Sequence, residues 1–137
     1  MPASSEIGAI GFGMSHTPTI AIVDDDEGVR SSLSSLLRAF GYYVRSYASA
    51  QDFLNAAVRE EPDCLLVDVQ MPGMSGEQLQ MHLIASGRSF PIIFMTAFPQ
   101  EGIRERVMAA GARGFLQKPA DAGQIASSIA DVLGREG

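Results

Sequence analysis

Short apolar runs alternate five times with segments in which apolar residues recur at helical spacing. Apolar runs of this length are typical of strands buried on both faces, as in parallel sheets covered by helices. The alternation therefore predicts an α/β fold, with five parallel strands covered on both faces by five helices. With 137 residues, the chain has room for one domain of this kind and none for a second.

The predicted strands span residues 20–23, 43–47, 64–67, 92–95 and 114–117. The first predicted helix ends before Gly41, the third runs from the 70–76 loop to about residue 86, and the last follows Asp121. The second and fourth predicted helices span 50–59 and about 102–110. Three helices are predicted to begin at a residue whose side chain can accept a hydrogen bond from the first turn. The predicted N-caps are Asp26 or Glu27 for the first helix, Ser49 for the second and Asp121 for the last.

Residues 1–18 contain Gly, Ser and Pro with scattered apolar residues and no sustained period. Such a segment is predicted to be a flexible N-terminal tail, followed by a single domain over residues 19–137.

Charge and cysteine usage argue against several classes of partner and location. A net charge of −6 disfavours a nucleic-acid surface in this segment. Cys64 is the only cysteine, which is typical of a reducing cytosol. The first cation is Arg30, so no basic region precedes an apolar stretch as in a signal peptide, and no apolar run approaches the ~18 residues of a membrane span. We therefore expect a cytoplasmic protein.

Charged or hydroxyl-bearing residues that could bind a metal ion or a phosphate follow four of the predicted strands. Asp24 and Asp25 come after the first strand, Asp68 after the third, Thr96 after the fourth, and Lys118, the only lysine, after the fifth. Carboxyl ends of parallel strands lie along one edge of the sheet, where ligands of open α/β folds bind. Each pair of carboxylates about 5 Å apart would repel by roughly 3 kcal/mol at an effective dielectric near 20. The cluster therefore needs a cation or must hold protons. Among cations magnesium is favoured, because it binds through few carboxylates and keeps open positions for phosphate oxygens.

The segments IAIVDDDEGVR, LLVDVQMPGMSG, FMTA and FLQKP carry a family resemblance, in the right order and spacing. Together they resemble the receiver domain of two-component response regulators, most closely the FixJ-like group. The resemblance covers residues 19 to about 134. It implies a flavodoxin-like, doubly wound five-stranded parallel sheet of order 2-1-3-4-5 with five helices.

The resemblance also implies a chemical role for each matching residue. Asp68 would accept a phosphoryl group from a sensor histidine kinase or a histidine phosphotransfer protein. Lys118 and Thr96 would contact the phosphoryl oxygens, together with the backbone at Val69 and Ala97. Such a domain is a phosphoacceptor in signalling, not an enzyme in the usual sense, because it catalyses only its own phosphorylation and slow autodephosphorylation.

The same resemblance implies a metal site. Mg²⁺, or Mn²⁺ as an alternative, would be bound directly by Asp25 and Asp68 and by the backbone carbonyl of Gln70. Asp24 would act mainly through a bound water.

A conformational switch is implied by Thr96 and Phe115. The aromatic residue would move inward as the loop after Thr96 shifts. The readout would be the face formed by the fourth helix, the fifth strand and the fifth helix, where a homodimer or another partner would bind.

Two positions depart from the family pattern. Phe98 stands two residues after Thr96, and we hypothesise that its ring shields the phosphoryl group from water and slows dephosphorylation. Pro119 is followed by Ala120 and not by an aromatic residue. We nevertheless expect the peptide bond before Pro119 to be cis, as in related domains.

Other functions share parts of this pattern. A flavodoxin-like electron carrier would have the same fold, but Asp24 to Glu27 would repel a flavin phosphate. A magnesium phosphohydrolase with an aspartyl nucleophile would share the chemistry, but it would need a substrate-binding cap. A receiver belonging to a longer DNA-binding regulator is the third alternative, and the sequence does not separate it from a stand-alone protein.

Overall fold

The computed structural model describes residues 17–56 and 61–136, in which five strands alternate with five helices. The strands are β1 Thr19–Val23, β2 Tyr43–Tyr47, β3 Cys64–Asp68, β4 Ile92–Thr96 and β5 Gly114–Gln117. The helices are α1 Glu27–Ala39, α2 Ala50–Asn55, α3 Gly76–Ala85, α4 Ile103–Ala109 and α5 Ala122–Glu136. The predicted α/β class is confirmed.

All five strands are parallel and form one sheet in the order β2-β1-β3-β4-β5. This order confirms the flavodoxin-like doubly wound topology. The register places Val23 beside Val67, Asp68 beside Met95 and Thr96 beside Gln117. The carboxyl ends of β1, β3, β4 and β5 therefore lie side by side at one edge of the sheet.

Each central strand sends alternate side chains to opposite faces of the sheet, because successive residues of a strand point in opposite directions. In β1, Ile20 and Ile22 belong to the core under α1 and α5, whereas Ala21 and Val23 belong to the core under α2, α3 and α4. The first core includes Leu33, Leu37, Leu66, Ile93, Ile125 and Ile129. The second includes Phe53, Leu65, Val67, Leu79, Phe94 and Val107. Both faces of the sheet are thus covered by apolar cores, and only the ends of the strands remain accessible for a functional site.

The ends of α1 follow the predicted signals. The side chain of Asp26 accepts a hydrogen bond from the Val29 amide at 3.1 Å, which confirms the N-cap. After the C-cap residue Phe40, Gly41 has a φ of 98°, a left-handed conformation that glycine adopts without a steric penalty. Glu27 is the first residue inside the helix and not the cap.

The predicted caps of α2 and α5 are also confirmed. Ser49 accepts from the Asp52 amide at 3.0 Å. Asp121 accepts from the Gln124 amide at 2.8 Å, while the Gln124 side chain accepts from the Asp121 amide at 3.1 Å, which is the reciprocal arrangement of a capping box. The helix that was predicted over 50–59 ends earlier, at Asn55, because Ala56 has an extended backbone, and residues 57–60 lie outside the described residues.

The predicted tail lies mostly outside the described residues, which begin at Thr17. Pro18 is already tied to the sheet, since its carbonyl accepts a hydrogen bond from the Tyr43 amide at 3.0 Å. Among the helices that the structure describes, none combines the length and apolarity needed to cross a membrane.

Candidate functional site

The edge of the sheet brings together the four positions that the sequence singled out. Asp24 follows β1, Asp68 is the last residue of β3, Thr96 is the last residue of β4, and Lys118 follows β5. Asp68 and Thr96 therefore lie inside their strands by one residue more than predicted. Their backbones are fixed by strand pairing, so their side chains start from rigid positions.

Hydrogen bonds fix both the backbone and the side chain of Asp24. Its amide donates to the Tyr47 carbonyl at 3.1 Å, and its own carbonyl accepts from the Arg30 guanidinium at 2.8 Å. One carboxylate oxygen, Oδ1, accepts from the Asp26 amide at 2.9 Å. The side chain is buried. Asp24 is thus a buried carboxylate whose position in the site is fixed.

The Lys118 amine bridges two carboxylates. Its Nζ lies 2.7 Å from Asp24 Oδ2 and 3.2 Å from Asp68 Oδ2. The backbone holds it there, because the Lys118 amide donates to the Thr96 carbonyl at 2.8 Å. The peptide bond between Lys118 and Pro119 is cis, as expected.

Burial and charge shift the pKa values of this group in a consistent way. Burial raises the pKa of Asp68, the nearby Lys118 charge opposes this, and Asp24 adds to it, with a net increase. Burial alone would lower the pKa of Lys118, but the hydrogen bond and charge of Asp24, followed by those of Asp68, raise it overall. Lys118 therefore stays protonated, and Asp68 holds its negative charge less favourably than an exposed aspartate does.

Three carboxylates converge in this site. Asp24, Asp25 and Asp68 each offer an oxygen, and the three oxygens lie within 4.8 Å of one another. Asp25 is exposed, whereas the other two are buried. Hard carboxylate oxygens with one side open to solvent suit Mg²⁺, which binds through few carboxylates and keeps several waters. The donor set therefore fits the predicted metal.

The backbone after β3 bears on the contact predicted for Val69. The Val69 amide donates to the Met95 carbonyl at 3.0 Å, so in this structure it is occupied by sheet pairing. The Gln70 amide is the one that reaches the acid, at 3.2 Å from Asp68 Oδ1. The contact of the Val69 backbone with a phosphoryl group stays a prediction, and in this structure the Gln70 amide is the one closer to Asp68.

Gly76 is a supporting residue that the sequence analysis did not single out. A Cβ atom there would lie 2.4 Å from the backbone oxygen of Asp68, far inside van der Waals contact. The Gly76 amide also donates to the Val69 carbonyl at 2.9 Å. The start of α3 is thus packed directly on the end of β3. The signal in the sequence was a glycine immediately after Ser75, whose side chain and Gln78 form a capping box.

The Gln70 side chain was also missed, because only its backbone carbonyl was predicted to act. Its Oε1 accepts from the Thr96 hydroxyl at 2.6 Å, and its Nε2 donates to the Phe98 carbonyl at 2.8 Å. The Phe98 amide in turn donates to Thr96 Oγ1 at 3.1 Å. Thr96 is fully buried. The two bonds of Gln70 join the loop after β3 to the loop after β4, and the bond from Phe98 to Thr96 lies within the second of these loops.

The two aromatic residues singled out by the sequence lie in different surroundings. Phe115 is half-buried and packs against the core under α2, α3 and α4, and the Arg104 guanidinium carbon lies 6.0 Å from its ring centroid. Phe98 is 77 % exposed. In this state the Phe98 ring does not pack over the site, so shielding would require the loop to move.

Known proteins resemble this chain in sequence and in fold. The family model of the response regulator receiver domain matches residues 20–130. The transcriptional regulatory protein FixJ of Azorhizobium caulinodans is 37 % identical over 122 residues, which cover 89 % of this chain and 58 % of the relative. The transcriptional regulatory protein TdiR of Thauera aromatica is 41 % identical over 104 residues, covering 76 % of this chain and 46 % of the relative. The chain thus spans about half the length of these curated relatives.

Solved structures of response regulators have the same fold as this chain. The crystal structure of FixJ-N superposes with a TM-score of 0.79 at 33 % identity, covering 87 % of this chain and 95 % of that one. The response regulator StyR superposes with a TM-score of 0.80 at 40 % identity, covering 86 % of this chain and 60 % of that one.

Proposed function

This chain belongs to the family of response regulator receiver domains, and on that premise we propose that Asp68 accepts a phosphoryl group from a phosphohistidine. The donor would be a sensor histidine kinase or a histidine phosphotransfer protein, in the cytoplasm. As a receiver, the domain serves two-component signalling and is not a classical enzyme. The observation that carries the proposal is the buried Asp68 carboxylate 3.2 Å from the amine of Lys118.

The transfer would form one bond and break one. A carboxylate oxygen of Asp68 attacks the phosphorus atom, the P–N bond to the partner's imidazole breaks, and the imidazole leaves with the bonding electron pair. Phosphoryl transfer depends mostly on positioning and on charge stabilisation. Lys118 supplies a fixed positive charge beside the acceptor. Its hydrogen bond to Asp24 holds that charge in place before the phosphoryl group arrives.

Asp25 and Asp68, with the Gln70 carbonyl, are the proposed direct ligands of Mg²⁺ or Mn²⁺, and Asp24 would act through water. When bound, the metal would supply positive charge that offsets the carboxylates and the incoming phosphoryl oxygens. The role of Asp24 is supported by its existing bonds, since both of its carboxylate oxygens already accept hydrogen bonds from the protein.

Contacts made only in the phosphorylated state would change the conformation. We assign the Thr96 hydroxyl and the amides of Gln70 and Ala97 to the phosphoryl oxygens. Because Thr96 gains this contact only in one state, phosphorylation can shift a conformational equilibrium. Inward movement of Phe115 would then alter the face formed by α4, β5 and α5. That face is the proposed site of homodimerisation or partner binding.

The curated relatives are named as transcriptional regulatory proteins, and they are about twice as long as the matched region. These names favour a role in transcriptional control, either as the receiver of a longer DNA-binding regulator or as a stand-alone receiver. For the 137-residue chain, the net charge of −6 favours protein partners over nucleic acid or an anionic membrane.

Acetyl phosphate with Mg²⁺ tests the proposal without knowledge of the kinase. Intact mass spectrometry should detect one phosphate adduct on the wild type, none on Asp68→Asn, and a reduced amount after chelation of the metal. Asp52→Asn is the matched control, because Asp52 is an exposed aspartate on α2 and should leave the adduct unchanged. An adduct that persists in Asp68→Asn would refute the assignment of the acceptor.

The same preparation separates the alternatives. Yellow absorbance of the purified protein would favour a flavin carrier, and turnover of phosphomonoesters would favour a phosphohydrolase. Sedimentation with and without beryllium fluoride, a phosphoryl mimic, tests dimerisation. A dimer that forms only with the mimic and is lost in Asp68→Asn supports the proposed output.

A further inference from the structure

The hydroxyl of Thr96 is already committed in this structure. As an acceptor it receives the Phe98 amide at 3.1 Å, and as a donor it bonds Gln70 Oε1 at 2.6 Å. A hydroxyl has a single proton to donate. A phosphoryl oxygen can therefore receive that proton only after the bond from Thr96 to Gln70 has been broken.

The orientation of the Gln70 amide follows from its partners. The Phe98 carbonyl can only accept, so the Gln70 atom 2.8 Å from it must be the NH₂ group. The remaining atom is the carbonyl oxygen, which faces the Thr96 hydroxyl. One side chain thus satisfies two groups that lie 26 and 28 residues further along the chain.

We propose that the Gln70 side chain is a positioning residue, a latch that holds the Thr96 hydroxyl and the Phe98 carbonyl in the unphosphorylated arrangement. A phosphoryl group on Asp68 would release the latch by accepting the Thr96 proton in place of Gln70. A charged phosphoryl oxygen is a stronger acceptor than a neutral amide, so the exchange favours release. The unphosphorylated half of this proposal stands on the geometry alone, whereas the release rests on the function proposed above.

The latch connects chemistry to the output face. Gln70 lies two residues after the acceptor Asp68, and the Phe98 carbonyl lies in the loop that leads into α4. Breaking the bond from Thr96 to Gln70 removes one of the bonds that tie this loop to the loop after β3. Gln70 therefore sets how much of the α4 movement occurs before phosphorylation.

Amide hydrogen exchange measured by NMR at Phe98 reports on the latch through Thr96, because this amide donates to Thr96 Oγ1, the hydroxyl that Gln70 holds. Without Mg²⁺ or phosphate, Gln70→Met should exchange about fivefold faster than the wild type, the factor expected for one net hydrogen bond. Gln70→Glu keeps an acceptor for Thr96 and loses the donor to Phe98, so its exchange rate should be intermediate. Gln51→Met, on the exposed face of α2, is the matched control and should match the wild type.

A second arm separates a latch from a purely structural role. With Mg²⁺ and beryllium fluoride, exchange at Phe98 in the wild type should rise towards that of Gln70→Met, and the difference between the two proteins should shrink. An increase of the same size in both states would mean that Gln70 only stabilises the loop, which overturns the proposal. Equal exchange in wild type and Gln70→Met without the mimic would overturn it as well.

Failure of the proposed phosphoacceptor function can be distinguished from failure of the latch. If the function is wrong, Asp68 would acquire no phosphate adduct and the mimic would leave the wild-type spectrum unchanged. The comparison of wild type with Gln70→Met without the mimic would still decide whether Gln70 holds Thr96.

Discussion

Lys118 donates its shorter hydrogen bond to Asp24 and not to the proposed acceptor, at 2.7 Å to Asp24 Oδ2 against 3.2 Å to Asp68 Oδ2. Asp24 is fixed by further bonds and has no proposed covalent role. The position of the Lys118 charge therefore does not depend on the state of Asp68. A positive charge that is in place before the reaction needs little reorganisation during it.

Removing that charge should destabilise the protein. Lys118→Met leaves two buried carboxylates without their shared cation, and breaking a buried ion pair in this way costs about 3 kcal/mol. Urea unfolding at neutral pH without metal should show this loss. The loss should shrink at acidic pH, where Asp68 with its raised pKa becomes protonated, and on addition of Mg²⁺.

Lys118→Arg is the control for charge. It keeps a cation but replaces a compact amine by a planar fork, so stability should fall less than in Lys118→Met while phosphorylation by acetyl phosphate should still slow. Equal stability of Lys118→Met and wild type at neutral pH would contradict the ion-pair account.

Much of this site could be predicted from the sequence because strand ends dictate it. Once the apolar runs are assigned to parallel strands, Asp24, Asp68, Thr96 and Lys118 must meet at one edge. The Gln70 side chain could not be placed, because its two bonds depend on the conformation of two loops. The pairing of the Val69 amide with the sheet was not predicted, for a related reason. Strand β3 ends at Asp68, one residue further than predicted, so the next amide, that of Val69, still pairs with the sheet.

Cys64 should be chemically inert in the folded protein. Burial, and to a smaller extent the nearby Asp63 charge, raises the pKa of the Cys64 thiol from its ordinary value of 9.0 to about 12. Alkylation at pH 8 should be at least about a hundredfold slower than in urea, since the thiolate is the reactive form. Intact mass after timed exposure to iodoacetamide measures this. Rapid labelling without unfolding would contradict the burial of Cys64.

The raised pKa of Asp68 predicts a pH-dependent stability. A carboxyl group with a higher pKa in the folded protein than in the unfolded chain binds protons more tightly when folded. Its contribution therefore lowers stability as the pH rises from the ordinary value of 3.8 through the folded pKa, and the penalty persists at neutral pH. Asp68→Asn removes the charge. Without metal, it should unfold at a higher temperature than the wild type at pH 7.

The gain in Asp68→Asn should disappear below about pH 3.8, where the carboxyl is protonated in both states. Thermal unfolding across the pH range provides the test. Asp52→Asn, at an exposed position, should show little of this dependence. A variant that is less stable than wild type at pH 7 would indicate that the bond from Lys118 outweighs the cost of burial.

Gly76 should tolerate no side chain, although it lies in a helix. In Gly76→Ala the new Cβ would stand 2.4 Å from the Asp68 backbone oxygen, so α3 or the end of β3 must shift. Overpacking of this kind costs about 1–3 kcal/mol, and the shift should slow phosphorylation of Asp68 by acetyl phosphate. Gly134→Ala is the matched control, because a Cβ in α5 meets no atom within 4 Å and should raise stability by up to about 1 kcal/mol. A Gly76→Ala variant as stable and as reactive as Gly134→Ala would show that the contact between α3 and β3 does not position Asp68.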